Sequence, residues 1–214
     1  MDGLHLVKEI PVTSITYSQE NSLEHPYKNA PADFFTPAGW GGVGYKEGNG
    51  FVVTGMPALY QTRLSNQLIA FDMTINNPST WPSFALCTQD RMTTYADGDT
   101  YLIGFKEDHI EFQRFNKGVR TMIFGNEFNP VGGPGVPNPA DDPIYTYNSK
   151  KPVSVIVGAL KEEGGTRIVL TINGVNRFDY LDTDENALPA EGHFGVYNAP
   201  GGNFTFSPYT GKTE

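Results

Sequence analysis

Two glutamates and a histidine that alternate along one short segment are the first residues that could do chemistry. In a strand, Glu107, His109 and Glu111 would project from the same face, because successive side chains point to opposite faces. Retaining glycosidases use two carboxyl groups about 5–5.5 Å apart as nucleophile and acid. The residues before Ile110 also have the composition of a turn. We therefore expect polar hairpin residues here, with catalysis by Glu107, His109 and Glu111 as the alternative.

A larger set of residues suits sugar recognition. Flat aromatic rings can stack on the C–H face of a pyranose, and planar polar side chains can bind its hydroxyl groups. If the segments that carry them form one sheet, we expect these side chains to converge on one ligand-binding surface. Each aromatic residue could instead belong to the core. The set comprises Trp81, Gln89, Arg91, Tyr95, Tyr101, Gln113, Tyr197 and Asn198.

Acidic residues in loops could hold a metal ion. Calcium takes carboxylate and carbonyl oxygens from separate loops, and Asp141 and Asp142 lie together in a Pro-rich segment. Asp97, Asp99 and residues 182–185 offer the same groups. The four histidines show no ligand spacing, which argues against a transition metal. We expect no required cofactor and leave a structural calcium open, with solvated acidic loops as its alternative.

Charge and hydropathy narrow the classes of partner. A formal net charge of −9 argues against nucleic acid, because phosphate contacts need clustered Lys and Arg. The longest apolar run, Val153–Leu160, is too short to span a bilayer. The only cysteine, Cys87, lies in an apolar segment, and we expect a buried, inert thiol. No secretory signal precedes Val7, so we expect a cytoplasmic chain or a mature or excised piece of a secreted protein.

Alternating hydrophobicity identifies the elements that must position these groups. In residues 68–75, Phe71, Met73 and Ile75 share one face, and residues 167–175 repeat the scheme with Ile168 and Leu170. Such alternation, rich in β-branched and aromatic residues, predicts strands. No window longer than a dozen residues carries a helical stripe. Further strands are predicted at 51–54, 84–88, 101–106, 110–115, 119–124, 153–160, 193–197 and 204–207.

Turn residues connect the predicted strands into hairpins. Asn173 and Gly174 suit a type I′ turn, in which both central residues take positive φ. Residues 162–165, 116–118 and 106–109 are further hairpin candidates. The order gives one meander over 100–125 and another over 153–180, which predicts an all-β, two-sheet antiparallel jelly-roll sandwich.

Two segments interrupt this rhythm without marking a domain boundary. Residues 126–143 carry five prolines and three glycines and predict a long loop that could form a shaped rim. Residues 18–44 are rich in Pro, Gly and Asn. We expect a single domain over 1–214, with an irregular strand and loops over 1–45.

Several of these segments together resemble laminin-G-like and concanavalin-like domains. Residues 68–75, 81–88 and 101–114 are similar to the central strands of such domains, and residues 167–175 to their strand, Asn-Gly turn, strand signature. The sequence Gly-His-Phe-Gly-Val-Tyr-Asn at 192–198 resembles their closing strand. The resemblance covers about residues 50–207. It implies a polysaccharide ligand on the concave sheet or its rim, and often a calcium ion on the opposite side.

The catalytic motifs found among such domains are incomplete in this chain. Glucanases of this fold carry Glu-x-Asp-x-Glu or Glu-x-Asp-x-x-Glu on one strand, and here His109 stands where the aspartate belongs. The Tyr-Lys-x-Gly-x-Tyr strand of jelly-roll alginate lyases is absent, since residues 193–197 hold no lysine. The fold itself hosts lectins, binding modules, hydrolases, lyases and adhesion domains, so it leaves the function open.

The sequence thus predicts a non-catalytic carbohydrate-binding module or lectin-like domain, part of a larger secreted enzyme. A glycoside hydrolase or polysaccharide lyase of the same fold is the alternative, and a protein-binding adhesion domain is a third hypothesis. The expected partner is a polysaccharide or oligosaccharide, with no nucleic acid and no membrane span. We expect a monomer that is extracellular or on the cell surface, with a cytoplasmic location left open.

Overall fold

Every regular element of the described chain is a strand. The structure is a computed structural model that describes residues 13–14, 34–35, 43–46, 50–53, 58–60, 63–75, 82–89, 98–105, 110–124, 152–197 and 204–208. The strands in these ranges are β1 (Thr13–Ser14), β2 (Phe34–Phe35), β3 (Val43–Lys46), β4 (Gly50–Val53), β5 (Ala58–Tyr60), β6 (Leu64–Ser65), β7 (Gln67–Ile75), β8 (Ser83–Thr88), β9 (Thr100–Phe105), β10 (Ile110–Asn116), β11 (Val119–Phe124), β12 (Val153–Glu162), β13 (Gly165–Ile172), β14 (Val175–Asp182), β15 (Glu191–Tyr197) and β16 (Phe204–Pro208).

The strands form two sheets. The first sheet has the order β14-β13-β12-β7-β16-β4-β3, with β1 beside β7. The second has the order β11-β10-β9-β8-β15-β5-β2, with β6 beside β15. Neighbouring strands are antiparallel except for β1 and β7, which pair in parallel. The predicted all-β, two-sheet jelly-roll sandwich is confirmed, including both meanders.

One hydrophobic core lies between the two sheets. Phe71, Met73 and Ile75 reach it from the first sheet, as their alternation predicts. Phe84 and Phe105 reach it from the second sheet. The Phe84 ring meets Phe71 edge-on at a centroid distance of 4.7 Å, which joins the sheets through an aromatic contact.

Cys87 is buried in this core, as predicted. Its φ of 54° marks an irregular position where the pairing of β8 with β15 changes register. Burial raises the pKa of the Cys87 thiol, with the nearby charge of Glu191 as a smaller cause. The thiol therefore stays protonated and inert.

The Asn173-Gly174 turn has the predicted geometry, and the turn at Lys117 and Gly118 shares it. Asn173 and Gly174 take φ values of 49° and 77°, and Lys117 and Gly118 take 51° and 75°. These positive values fit type I′ turns, whose twist matches that of the flanking strands. The turn at residues 162–165 likewise joins β12 to β13, and residues 106–109 lie outside the described ranges.

Short strands also occur in the region that is predicted to hold an irregular strand and loops. Within residues 1–45, β2 pairs with β5, and β3, which extends to Lys46, pairs with β4. Two more short strands, β5 and β6, lie beside β15. The predicted 126–143 loop lies outside the described residues. Among the described residues, none belongs to a helix that is long and apolar enough to cross a membrane.

Candidate functional site

The outer face of the second sheet, the face turned away from the core, brings together three of the residues that were considered for chemistry. A row of paired residues crosses four neighbouring strands of this sheet. It runs from Tyr197 on β15 through Ser83 on β8 and Gly104 on β9 to Glu111 on β10. Paired residues of an antiparallel sheet lie on the same face, about 4.7–4.9 Å apart from strand to strand. Tyr197 and Glu111 thus occupy the ends of a row about 14 Å long, with only small residues between them.

Gln113 lies in the neighbouring row of the same face. Its register partner on β9 is Leu102, which pairs with Ala85 on β8. The Gln113 Nε2 donates a hydrogen bond of 2.7 Å to Glu111 Oε2. An amide and a carboxylate are therefore held side by side in a defined geometry.

Access to this outer face is uneven. Its centre is buried, since Leu59, Ala85, Leu102 and Phe115 form a hydrophobic cluster of their own there. Gln113 is also buried, whereas Glu111 keeps partial exposure. Among the residues of these two rows whose burial is described, Glu111 is therefore the partly exposed one.

Gln89 follows the opposite end of β8 from Ser83, so it lies away from the Glu111 side. Its Nε2 donates to the backbone oxygens of Cys87 and Glu191, at 2.7 and 2.6 Å. Arg63 donates to the backbone oxygen of Gln89 at 2.9 Å and to its Oε1 at 3.3 Å. The amide thus joins β8 to β15.

Tyr101 lies inside the sandwich and not on the predicted ligand surface. Its register partner is Arg114, so its side chain occupies the opposite face from that of Gln113. The ring is fully buried, and its hydroxyl donates to Asp182 Oδ2 at 2.7 Å and accepts from the Leu188 N–H at 3.0 Å. A side chain in this position anchors residues 182–188 and has no surface to offer a sugar.

Asp182 is the centre of a buried ion pair that sequence reasoning missed. Arg114 Nη1 contacts its two carboxylate oxygens at 2.8 and 2.7 Å, and Arg114 Nη2 lies 3.0 Å from Asp184 Oδ1. Burial lowers the pKa of Arg114, but the hydrogen bond and charge of Asp182 outweigh that effect and raise it overall. Residues 182–185 were considered for calcium; here Asp182 and Asp184 serve as partners of an arginine.

The remaining predicted site residues lie outside the described ranges. They are Trp81, Arg91, Tyr95, Glu107, His109, Asp141, Asp142 and Asn198. In the described part of the chain, no group of three His, Cys, Asp or Glu residues could hold a metal ion. The predicted set therefore contributes Glu111, Gln113 and the Tyr197 position to one face, while Gln89 and Tyr101 lie elsewhere.

No protein-family model matches the sequence, and no curated protein sequence matches it. Solved structures of the same fold do match. The carbohydrate-binding module CBM66 from Bacillus subtilis is 16% identical, with a TM-score of 0.54 over 93% of this chain and 98% of that chain. A Bacillus subtilis protein of unknown function with a galectin-like fold is 13% identical, with a TM-score of 0.53 over 91% and 96%.

A putative glycosyl hydrolase from Parabacteroides distasonis is similar to the same extent. It is 11% identical, with a TM-score of 0.52 over 81% of this chain and 89% of that chain. These likenesses establish a concanavalin-like, galectin-like jelly-roll fold. At such low identity they concern the fold alone, which binding modules and hydrolases share.

Proposed function

We propose that this protein is a non-catalytic carbohydrate-binding module that recognises a polysaccharide or oligosaccharide. The observation that carries the proposal is the hydrogen-bonded Glu111–Gln113 pair on the second sheet's outer face, in which Gln113 is buried and Glu111 is partly exposed. Carboxylate oxygens accept hydrogen bonds from hydroxyl groups, and amides both donate and accept them. Because the 2.7 Å contact fixes both groups, little order has to be gained when a sugar binds.

The surroundings of this pair support binding more than hydrolysis. A retaining glycosidase needs two carboxyl groups about 5–5.5 Å apart and an inverting one about 6.5–9.5 Å. Along the described strands β8 to β11, Glu111 is the only carboxylate, and Gln113 already donates to it. Glu107 and His109 stay candidates for the alternative, a hydrolase or lyase.

The rest of the ligand surface is proposed from the sequence. We place Trp81, Arg91, Tyr95 and Asn198 with Tyr197 around the same face, as aromatic and planar polar groups for further sugar units. Calcium at Asp141 and Asp142 is proposed as a structural ion that the binding step does not need. We propose a monomer that acts outside the cell.

The test is a calorimetric titration of the protein with neutral and acidic polysaccharides, with and without EDTA. Wild type should bind at least one of them, and Glu111→Gln should weaken binding about tenfold by removing a charged acceptor worth about 1.5 kcal/mol. Glu185→Gln, an exposed change of the same charge, is the control. Binding that EDTA abolishes would contradict the proposed dispensability of calcium.

The same samples separate binding from catalysis. Reducing ends and unsaturated products should not accumulate when the protein is incubated with each polysaccharide. Their appearance, with loss in Glu107→Gln or Glu111→Gln, would favour the hydrolase or lyase. Silence of wild type across the whole panel would overturn the carbohydrate-binding proposal.

A further inference from the structure

A cleft of about 590 Å³ opens at the end of the sandwich where β12 turns into β13. Strands of both sheets border it, with Lys161 and Thr166 on one side and Ser65 and Glu191 on the other. Pro189 and its neighbours close the remaining wall. Small-molecule sites have volumes of roughly 300–1,000 Å³, so this cleft has the size of a ligand site.

The floor of the cleft is held by hydrogen bonds between distant parts of the chain. Asn66, at a φ of 52°, donates its N–H to Ala190 O at 2.9 Å, and its Oδ1 accepts from the Lys161 N–H at 2.7 Å. Thr166 Oγ1 donates to Leu188 O at 2.6 Å. Both sheets and the segment before β15 are therefore fixed to one another, and the cleft is formed before a ligand arrives.

The carboxylates that line the cleft are paired with cations. Glu162 is held by Arg167, whose Nη2 donates to its Oε2 at 2.8 Å, and Arg167 also contacts Asp179. Glu191 Oε1 lies 3.8 Å from Arg63 Nη2, and both side chains are exposed. Of these residues, Lys161, Glu162 and Glu191 line the cleft, and each of the two glutamates is paired with an arginine. A lining whose carboxylates are paired with cations favours a neutral ligand over a phosphate, a metal ion or an acidic glycan.

The polar side chains that line the cleft can form hydrogen bonds with the hydroxyl groups of a ligand. The Lys161 ammonium donates, the Glu191 carboxylate accepts, and the Ser65 hydroxyl does both. Pro189 presents a rigid aliphatic surface beside them, which can pack against the C–H face of a sugar ring. A neutral molecule with many hydroxyl groups satisfies all of these groups together.

We propose that this end cleft is a second binding site, separate from the outer face of the second sheet, and that it takes a neutral sugar unit of a glycan. The inference rests on the proposed carbohydrate-binding function. It adds a second place of binding. The cleft lies near Thr88, at the end of β8, whereas Glu111 lies in the row of paired residues that crosses the start of β8 at Ser83. Gln89, whose amide donates to Glu191 O, supports the rim of this cleft.

The test is a titration of ¹⁵N-labelled protein with neutral probes, followed by amide chemical shifts. The probes are the methyl glycosides of glucose, galactose, mannose and fructose, together with cello- and xylo-oligosaccharides. At least one probe should shift the amides of Ser65, Lys161 and residues 187–191. Glu191→Gln and Lys161→Met should each weaken that binding about tenfold, since a hydrogen bond to a charged group contributes about 1.5–3 kcal/mol.

Two matched controls lie outside the cleft lining. Glu163→Gln makes the same charge change as Glu191→Gln at an exposed position of the β12–β13 turn outside the cleft lining. Lys117→Met makes the same change as Lys161→Met at an exposed position of the β10–β11 turn. Both controls should bind within about twofold of wild type, because exposed charges contribute little at a distance.

The outcomes distinguish the two proposals. Shifts confined to the outer face, around Glu111 and Gln113, with unchanged binding in the cleft variants, would overturn the cleft and leave the proposed function standing. The absence of any shift with every probe and every polysaccharide would overturn both. Cleft shifts that the control variants abolish as strongly as the cleft variants would also overturn the cleft as the site of contact.

Discussion

The buried hydroxyl of Tyr101 makes the protein sensitive to alkali. Burial, and then the hydrogen bond to Asp182, raise the pKa of Tyr101 above its ordinary value near 10. Above about pH 10 the unfolded chain loses this proton while the folded chain keeps it, so the free energy of unfolding falls as pH rises. Below about pH 10 both states keep the proton, so the contribution of Tyr101 to the free energy of unfolding is fully present.

Tyr101→Phe removes that titration. We expect its free energy of unfolding to fall less steeply than that of wild type above pH 10, by up to about 1.4 kcal/mol per pH unit. At pH 7 the variant should be less stable by about 1–3 kcal/mol, because the buried Leu188 N–H loses its acceptor. Urea unfolding at a series of pH values measures both effects. Equal slopes in the two proteins would contradict the proposed role of Tyr101.

Buried charge also explains where sequence reasoning about single residues failed. On β9 and β10 both faces carry apolar residues. Tyr101 faces the core between the sheets, whereas Leu102 and Phe115 lie on the outer face of the second sheet. Alternation alone then gives no contrast by which to choose the inner face. Arg114 would be placed at the surface by its charge, yet the distant Asp182 neutralises it in the interior. No local pattern contains that pairing.

At the scale of elements, the close approach of β13 to the end of β14 depends on a glycine. A Cβ at Gly165 would lie 2.0 Å from the backbone oxygen of Asp182, which is far inside van der Waals contact. At the adjacent Gly164, whose φ is 88°, a Cβ would have nothing within 4 Å. Substitutions at these two positions therefore separate the steric cost of an added Cβ from the cost of a left-handed backbone.

We expect Gly165→Ala to destabilise the protein by more than about 2 kcal/mol, because strand β13 or β14 must shift. Gly164→Ala should cost only about 1–2 kcal/mol, from the left-handed backbone. Chemical denaturation of the two variants beside wild type measures the difference. A smaller loss at position 165 than at position 164 would contradict the close packing of these strands.

The long strands and their turns could be predicted because their signals are local. The alternation in β7 and β13 and the Asn173-Gly174 turn depend only on neighbouring residues. The two-residue strands β2 and β6 have no such signal, since they exist only through pairing with β5 and β15. The shift of register near Cys87 likewise depends on the partner strand. For the same reason, the sequence indicated Gln89 as a polar candidate but could not predict which strands its side chain would join.

At the scale of the whole molecule, we expect the shared core to make the two sheets one cooperative unit. The Phe84 ring contacts Phe71 of the first sheet at 4.7 Å and Phe105 and Phe194 of its own sheet at 5.4 and 6.1 Å. Its loss therefore removes contacts on both sides of the core. Neither sheet can keep its inner face buried without the other.

Phe84→Ala should lower the free energy of unfolding by about 3–5 kcal/mol. Unfolding followed by far-ultraviolet circular dichroism and by aromatic fluorescence should still give one coincident transition. Val119→Ala, at a side chain that is 65% exposed, should change stability by less than about 0.5 kcal/mol. Two separated transitions in Phe84→Ala would show that the sheets unfold independently.

The Asn173-Gly174 turn has a practical consequence for measuring weak ligands. It lies at the opposite end of β13 from Gly165, where the end cleft opens, and the eight residues of β13 span about 26 Å. Gly174 is exposed. A cysteine or biotin acceptor inserted at this turn would attach the protein to a sensor chip by the far end of the sandwich, so that every immobilised molecule presents its cleft to the flowing solution.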